Sequence, residues 1–135
     1  MLDFVLTLLY NKYIKQINKK KEVTKGGIVI MKLYHATNKE NLVSIITEGI
    51  KPDAFGDVYF AESYEQALAF MVFRPIQEII IFEIEIDISK CRESFDHSEA
   101  MFCKMFGFET CRAWCYHGNV PAELINLNNC KVYKK

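Results

Sequence analysis

The residues of this chain best suited to chemistry are one histidine and two aromatic residues, His35, Tyr59 and Phe70. An imidazole exchanges hydrogen bonds with hydroxyl groups near neutral pH. Aromatic faces on both sides of a flat cationic ring hold it by dispersion and by cation–π attraction of about 1 kcal/mol or more. These side chains are candidates for a binding pocket. Phe70 is equally suited to core packing, whereas Gly56 and Ala61 near Tyr59 favour a site for that ring.

Other ionisable pairs are weaker candidates for catalysis. Glu83 and Glu85 lie two positions apart on an expected strand, so they share a face, as an acid and a base acting on a glycoside would. Such a pair more often lies on a solvated face. Asp96 and His97 are adjacent, and neighbouring side chains of an extended chain point apart, so we expect a loop or a helix cap there.

Five cysteines, an odd number with no secretory signal ahead of them, indicate reduced thiols in the cytoplasm. Cys103, Cys111, Cys115 and His117 include the soft ligands that zinc prefers. No Cys-x-x-Cys pair is present, and Cys111 and Cys115 are too far apart along one strand face to share an ion without a bend. We therefore expect small buried thiols and no metal site.

Composition and charge exclude several classes of protein. Half of the 135 residues are apolar, enough for the core of one domain. Basic and acidic side chains both number 17, so no overall field attracts nucleic acid or an anionic membrane. The apolar run 1–10 is half as long as the roughly 20 residues that a membrane span needs. We expect a cytoplasmic monomer that does not bind membranes.

Residues 1–30 differ in charge from the rest of the chain. They carry six lysines against two acids, a net charge of +4, while residues 31–135 carry −4. Their apolar residues recur among lysines and asparagines, as in an amphipathic surface helix. Lys-Gly-Gly at 25–27 shortly precedes Met31, and its codons can spell a bacterial ribosome-binding site. We expect a basic extension or a translated leader over 1–30 and the working domain over 31–135.

Strands and helices must alternate to position the candidate residues. Strands are expected at 28–35, 57–61, 79–88, 111–117 and 130–133, where β-branched and aromatic residues cluster. Helices are expected at 38–49, 63–74, 98–106 and 121–124. Asn38 can cap the first helix, and Ser63 begins the second with a Ser-x-x-Gln capping box.

Four short motifs follow one another from residue 34 onward. They are Tyr-His-Ala-Thr at 34–37, Glu-Gly-Ile-Lys-Pro at 48–52, Gly-Asp-Val-Tyr-Phe-Ala at 56–61, and a helix carrying Ala67 and Phe70. In this order they resemble the NAD-binding half of the ADP-ribosyltransferase superfamily, in its poly(ADP-ribose) polymerase-like branch. The chain is similar to small stand-alone bacterial or phage types. The resemblance covers 31–87 well, and Ala36 stands where the family usually has glycine.

The resemblance implies an α+β fold in which two small packed β-sheets with flanking helices enclose a cleft for NAD. His35 would donate a hydrogen bond to the adenosine-side ribose, and the main chain of His35 or Ala36 would hold the nicotinamide carboxamide. Thr37 would order the strand. Tyr59 and Phe70 would sandwich the nicotinamide ring. His35 and Tyr59 would lie on adjacent strands with their side chains converging on the cleft.

A catalytic glutamate completes the family's site. Aligning the Gly-Asn-Val-Pro turn with that of the family places Ala113 where the glutamate is expected. The nearest acid upstream is Glu109, which a β-bulge or a shifted strand start would bring into the cleft. Glu123 is the alternative, although an acid at a helix start usually interacts with the helix dipole. The expected catalytic residues are thus His35, Tyr59 and Glu109.

The activity implied by the resemblance is NAD-dependent mono-ADP-ribosylation of a protein or nucleic-acid acceptor, with release of nicotinamide. The RNA 2′-phosphotransferase branch is an alternative, because Val-Pro-Ala-Glu-Leu-Ile at 120–125 resembles its closing turn. Tyr34 stands where that branch has an arginine. A further alternative is an inactive protein that binds NAD, ADP-ribose or a partner protein.

Overall fold

An antiparallel β-sheet with short helices forms the chain from Val23 onward. The computed structural model describes residues 23–25, 27–94, 104–108 and 112–135. The strands are β1 (Val23–Lys25), β2 (Ile28–Asn38), β3 (Asp57–Ala61), β4 (Glu78–Asp87), β5 (Cys91–Ser94), β6 (Ala113–His117) and β7 (Ile125–Lys134). The helices are α1 (Leu42–Glu48) and α2 (Tyr64–Ala69), with 3-10 turns at Lys39–Asn41, Ile88–Lys90 and Ala122–Leu124.

The strands form one continuous sheet in the order β5-β6-β3-β2-β4-β7, with β1 beside β2. Every one of these strand pairs is antiparallel. The predicted α+β class is therefore confirmed. The prediction of two separate packed sheets is not, because Tyr34 of β2 pairs with Ala61 of β3 and joins the two halves of the ladder.

The sheet nearly divides between β2 and β3. Pairing between β2 and β4 runs without interruption from Ile30 to Asn38, and β3 pairs with β6 over its whole length. Within the described residues, β2 and β3 share only the pair Tyr34–Ala61. A gap therefore opens between residues 35–38 of β2 and residues 57–60 of β3.

Apolar side chains cover both faces of the sheet, because successive side chains of β4 point to opposite faces. Ile79 and Ile81 belong to one hydrophobic cluster, and Ile80, Phe82 and Ile84 belong to the other. Helix α2 packs within the first cluster and α1 adds to the second. Each fully buried side chain of this size contributes roughly 1.5–3 kcal/mol by leaving water. Burial on the two faces therefore holds the strands in register.

Glu83 is a buried carboxylate in the second half of β4. Its Oε1 accepts a hydrogen bond from the Tyr34 hydroxyl at 3.1 Å. Its Oε2 accepts from the side-chain amides of Asn126 at 3.1 Å and Asn129 at 2.7 Å. Glu85, two residues on, is exposed. The two glutamates considered as an acid and base pair therefore have different surroundings, and Glu83 ties β4 to β2 and β7.

Side-chain caps begin both helical segments where the sequence predicts them. Asn38 Oδ1 accepts from the backbone amide of Glu40 at 3.1 Å, which starts the 3-10 turn leading into α1. Ser63 Oγ accepts from the backbone amide of Gln66 at 3.1 Å, which starts α2. Each cap satisfies an amide that has no partner within its own helix. No helix in the described stretches combines the length and apolar character needed to cross a bilayer.

Several boundaries differ from those predicted. Helix α2 ends at Ala69 rather than near Arg74, because the amides of Met71, Val72 and Arg74 bond to carbonyls three residues back instead of four. Strand β2 begins at Ile28 as predicted but continues to Asn38, beyond the predicted end at His35. The helix expected over 98–106 is seen at 104–106, and its earlier residues lie outside the described ranges.

Candidate functional site

A cleft of about 500 Å³ opens where β2 and β3 separate. This volume lies within the range of roughly 300–1,000 Å³ that is usual for small-molecule sites. All five residues predicted to bind the ligand lie on its wall: His35, Ala36, Thr37, Tyr59 and Phe70. They come from β2, β3 and the end of α2, so the fold brings together residues that are up to 35 positions apart in the sequence.

His35 bridges the gap between the two strands. Its Nδ1 lies 2.9 Å from the backbone oxygen of Tyr59, and its ring meets the Phe60 ring edge-on with centroids 5.9 Å apart. A carbonyl oxygen only accepts, so Nδ1 carries the proton of this bond. A side-chain bond thus spans the gap at a point where the two strands no longer pair.

The protonation of His35 sets what it can offer a ligand. Burial lowers the pKa of His35 below its ordinary value, and the hydrogen bond to the Tyr59 carbonyl opposes this only in part. The ring is therefore neutral at pH 7, and with the proton on Nδ1 its Nε2 is a hydrogen-bond acceptor. In this tautomer His35 can accept a hydrogen bond from a hydroxyl group, whereas the resemblance implies that it donates one.

Tyr59 and Phe70 supply aromatic walls from two different elements. Tyr59 lies on β3, with 41% of its surface exposed. Phe70 is half-buried at the C-cap of α2, where it packs against the first hydrophobic cluster. Burial raises the pKa of Tyr59, so its hydroxyl stays protonated at neutral pH. Both rings line the cleft and offer faces to a planar group.

The relation between the His35 and Tyr59 side chains follows from the strand register. Tyr34 and Ala61 are paired and share a face, so alternation alone puts the Tyr59 ring on that face and the His35 ring on the other. The expectation that the two side chains converge is therefore wrong, although both residues line the cleft, which lies in the gap between their strands. The contact between them runs through the Tyr59 carbonyl rather than the Tyr59 ring.

The remaining stretch of β2 adds polar groups to the wall. The Thr37 hydroxyl accepts a hydrogen bond from the Asn41 side-chain amide at 2.9 Å, which leaves its own proton available for donation. On this side, β2 is not paired with β3 beyond Tyr34 within the described residues. Backbone polar groups of 35–38 that face the gap therefore suit a ligand with its own donors and acceptors.

A charged cluster beside the cleft was not predicted from the sequence. Asp57 of β3 is buried, with 6% of its surface exposed, and also lines the cleft. Arg92 of β5 and His117 of β6 contact its carboxylate. The sequence suggests His117 only as a metal ligand and does not single out Arg92. The cluster forms because β3 pairs with β6, and that pairing cannot be predicted from a short stretch of sequence.

The sequence suggests three positions for the catalytic glutamate, 109, 113 and 123, and the outcome differs for each. Ala113 is buried in β6, opposite Ala61 and Ser94, so no carboxylate stands at the aligned position. Glu109 lies outside the described residues. Glu123 is exposed on the 3-10 turn before β7 and borders a smaller pocket with Glu85, away from the main cleft. The structure thus does not bring Glu123 to His35 and Tyr59.

The three cysteines of the described residues carry reduced thiols. Cys115 is buried in β6, and Cys91 and Cys130 are half-buried. Burial raises the pKa of the Cys91 thiol to about 11, so it is protonated and a poor nucleophile at neutral pH. In the described part of the chain, no three His, Cys, Asp or Glu side chains are placed to hold a metal ion.

Comparison with known proteins does not assign the chain to a family. No family model matches the sequence, and no curated protein matches it. The function must therefore be inferred from the cleft and the residues that line it.

Proposed function

We propose that this protein binds NAD in the cleft between β2 and β3 and transfers ADP-ribose from it to a protein or nucleic-acid acceptor. The proposal includes an ADP-ribosyltransferase-like fold, in which the two halves of the divided sheet flank the ligand. One observation carries it. The five residues that the sequence resemblance assigns to NAD, namely His35, Ala36, Thr37, Tyr59 and Phe70, line a single cleft of suitable size.

The aromatic walls and the open strand edge match the nicotinamide end of NAD. Tyr59 and Phe70 would hold the flat cationic ring by dispersion and cation–π attraction. The backbone at 35–36 faces a gap without a neighbouring strand to pair with, so its polar groups suit the carboxamide. His35 would then accept a hydrogen bond from a ribose hydroxyl through Nε2.

Charged residues on the cleft wall match the rest of the ligand. Lys51 and Arg74 both line the cleft and would attract the diphosphate. Arg74 makes no ion pair with any described residue, whereas Lys51 is paired with Glu48 at 2.7 Å on the surface. Because a guanidinium binds two phosphate oxygens at once, Arg74 is the stronger candidate.

The proposed reaction depends on the groups of NAD that this pocket would hold in fixed positions. Bound NAD supplies an activated ribose, whose bond to the nicotinamide nitrogen breaks with its electron pair leaving on the ring. Tyr59 and Phe70 keep the departing ring in place, and His35 holds a hydroxyl of the adenosine-side ribose. Glu109 is the proposed carboxylate that stabilises the positive charge developing on the ribose.

An NAD-binding protein without transferase activity is the second candidate, favoured by one specific observation. Ala113 is buried between Ala61 and Ser94 at the position aligned with the family's glutamate, so that position offers no charge. The RNA 2′-phosphotransferase alternative is disfavoured. Tyr34, which stands where that branch has an arginine, is buried and donates its hydroxyl proton to Glu83, so it offers no cation to a phosphate.

Incubation with labelled NAD and a bacterial lysate tests the transferase. Wild type should label acceptors, and His35→Ala and Glu109→Gln should both abolish labelling by removing a ribose contact and the proposed acid. Labelling that persists in Glu109→Gln would show that the glutamate is wrongly assigned. Wild type that binds NAD but releases no nicotinamide in any lysate would favour the inactive binder.

A further inference from the structure

Asp57, Arg92 and His117 form a cluster on three neighbouring strands. Asp57 Oδ2 accepts from Arg92 at 2.8 Å, and Asp57 Oδ1 lies 3.3 Å both from Arg92 Nη1 and from His117 Nδ1. The three residues come from β3, β5 and β6, which are adjacent in the sheet. The carboxylate is buried while the side chains of Arg92 and His117 are 59% and 76% exposed.

Asp57 orients the imidazole of His117. The hydrogen bonds from Arg92 hold the pKa of Asp57 below its ordinary value, so the carboxylate is ionised and accepts hydrogen bonds at neutral pH. In a neutral His117 ring, the proton therefore sits on Nδ1, toward Asp57, and Nε2 carries a free lone pair. A carboxylate that fixes the tautomer of a histidine in this way is the usual support of a histidine base.

The backbone provides a seat for the same ring. Gly56 has a φ of +84°, and a Cβ built there would lie 2.8 Å from His117 Cε1. The Gly118 amide donates to the Gly56 carbonyl at 2.8 Å and fixes the facing turn. The His117 ring thus occupies the space that the missing Cβ of Gly56 leaves, and it contacts Asp57, although most of the side chain is exposed to solvent.

The cluster lies beside the aromatic end of the cleft. Asp57 and Tyr59 are two residues apart on β3, so they share a face, and both line the cleft. His117 is the residue of β6 paired with Asp57, and Cys115 is the one paired with Tyr59. His117 is not among the described residues that line the cleft; it lies diagonally opposite Tyr59 on the same face of the sheet, with its side chain exposed to solvent.

We propose that His117 is the general base for the acceptor, positioned by Asp57; this rests on the proposed transferase function. Nε2 of His117 takes the proton from the acceptor's O–H or N–H group. The acceptor atom then bonds to the anomeric carbon of the ribose, and the bond to the nicotinamide nitrogen breaks with its electrons leaving on the ring. This base comes from a residue outside the four motifs and does not depend on a glutamate at position 113.

The full-length chain with His117→Gln tests this role, because the glutamine amide can still donate to Asp57 but cannot accept a proton. Labelled transfer at saturating NAD should fall at least about a hundredfold, the usual contribution of a general base. The KM for NAD and the melting temperature should stay near those of wild type. Arg112→Gln, which removes an exposed cation paired with Glu62, is the control and should leave transfer unchanged.

Chemical rescue with imidazole distinguishes a catalytic base from a residue that only stabilises the contact between strands. His117→Ala should be as slow as His117→Gln, and added imidazole should restore part of its transfer rate without changing its melting temperature. Transfer by His117→Gln at the wild-type rate would overturn the assignment while leaving the transferase intact. Loss of transfer with equal loss of NAD binding, or loss that imidazole does not restore, would also overturn it. Wild type that neither binds NAD nor releases nicotinamide would overturn both proposals.

Discussion

Glu83 and Asp57 are both buried carboxylates on central strands of one sheet, but they have different partners. Glu83 accepts hydrogen bonds from a tyrosine and two asparagines and lies away from the cleft. Asp57 is bonded to Arg92 and His117, which are exposed, and borders the cleft. The first arrangement uses every partner to hold strands together, while the second keeps an ionisable group at the surface in a fixed orientation. Burial alone therefore does not distinguish the two acids, whereas their partners do: those of Glu83 are neutral hydroxyl and amide groups, and those of Asp57 are a guanidinium and an imidazole.

Removing each carboxylate should give the largest contrast. Glu83→Ala leaves Tyr34 and two amides without their acceptor, so it should lower the free energy of unfolding by about 3 kcal/mol. Asp57→Ala should lower it less, because water can solvate Arg92 and His117. Urea denaturation followed by fluorescence measures both. Glu85→Ala, an exposed change on the same strand, is the control. Equal losses for Glu83→Ala and Asp57→Ala would break the comparison.

Acid and salt should affect the two groups differently. Burial raises the pKa of Glu83, but the Asn129 amide and the Lys32 charge outweigh it, so the pKa lies below the ordinary 4.5. The stabilisation from Glu83 is therefore complete above pH 4.5 and is lost as pH falls through the folded-state pKa. The pKa of Asp57 is also lowered, so its contribution has the same sign.

Salt then separates the two contributions, because screening weakens exposed ion pairs more than buried hydrogen bonds. In melting curves recorded between pH 6 and pH 3, 1 M salt should reduce the stabilisation that Asp57→Asn removes. It should leave unchanged the stabilisation that Glu83→Gln removes. Salt that reduced both contributions equally would contradict the distinction between the two carboxylates.

Removing a single donor should give the smallest effects. Asn129→Ala takes away the shortest hydrogen bond to Glu83 and should cost about 1 kcal/mol. Arg92→Gln breaks a surface ion pair to Asp57 and should cost less, since such pairs contribute little to folding. Chemical denaturation of the two variants, with Lys90→Gln as an exposed control, measures the difference. A larger loss for Arg92→Gln would show that Asp57 is the structural acid.

Local features of the fold follow from the sequence. Strand β3 begins at Asp57 and ends at Ala61 as predicted, and Ser63 caps α2 as its Ser-x-x-Gln spacing indicates. The strand predicted over 79–88 is shifted by one residue. These features depend on neighbouring residues, so a short stretch of sequence contains the information needed.

The missed features depend on residues far apart in the chain. His117 contacts Asp57 across 60 positions, and that contact exists because β6 pairs with β3. The gap that makes the cleft lies where β2 and β3 stop pairing with each other, while β2 stays paired with β4 and β3 with β6. The sequence motifs predict His35 and Tyr59 as site residues, but the order of the strands determines how the two residues are placed relative to the gap. The candidate Glu109 lies outside the described residues.

The central claim is that the cleft binds NAD, and calorimetry tests it directly. Titration of wild type with NAD should give heat of binding, and Tyr59→Ala should weaken binding about tenfold by removing a stacking face. Phe55→Ala, which removes an aromatic ring that is 83% exposed and outside the cleft, should bind as wild type does. Absence of heat with millimolar NAD, or equal weakening in both variants, would contradict the account.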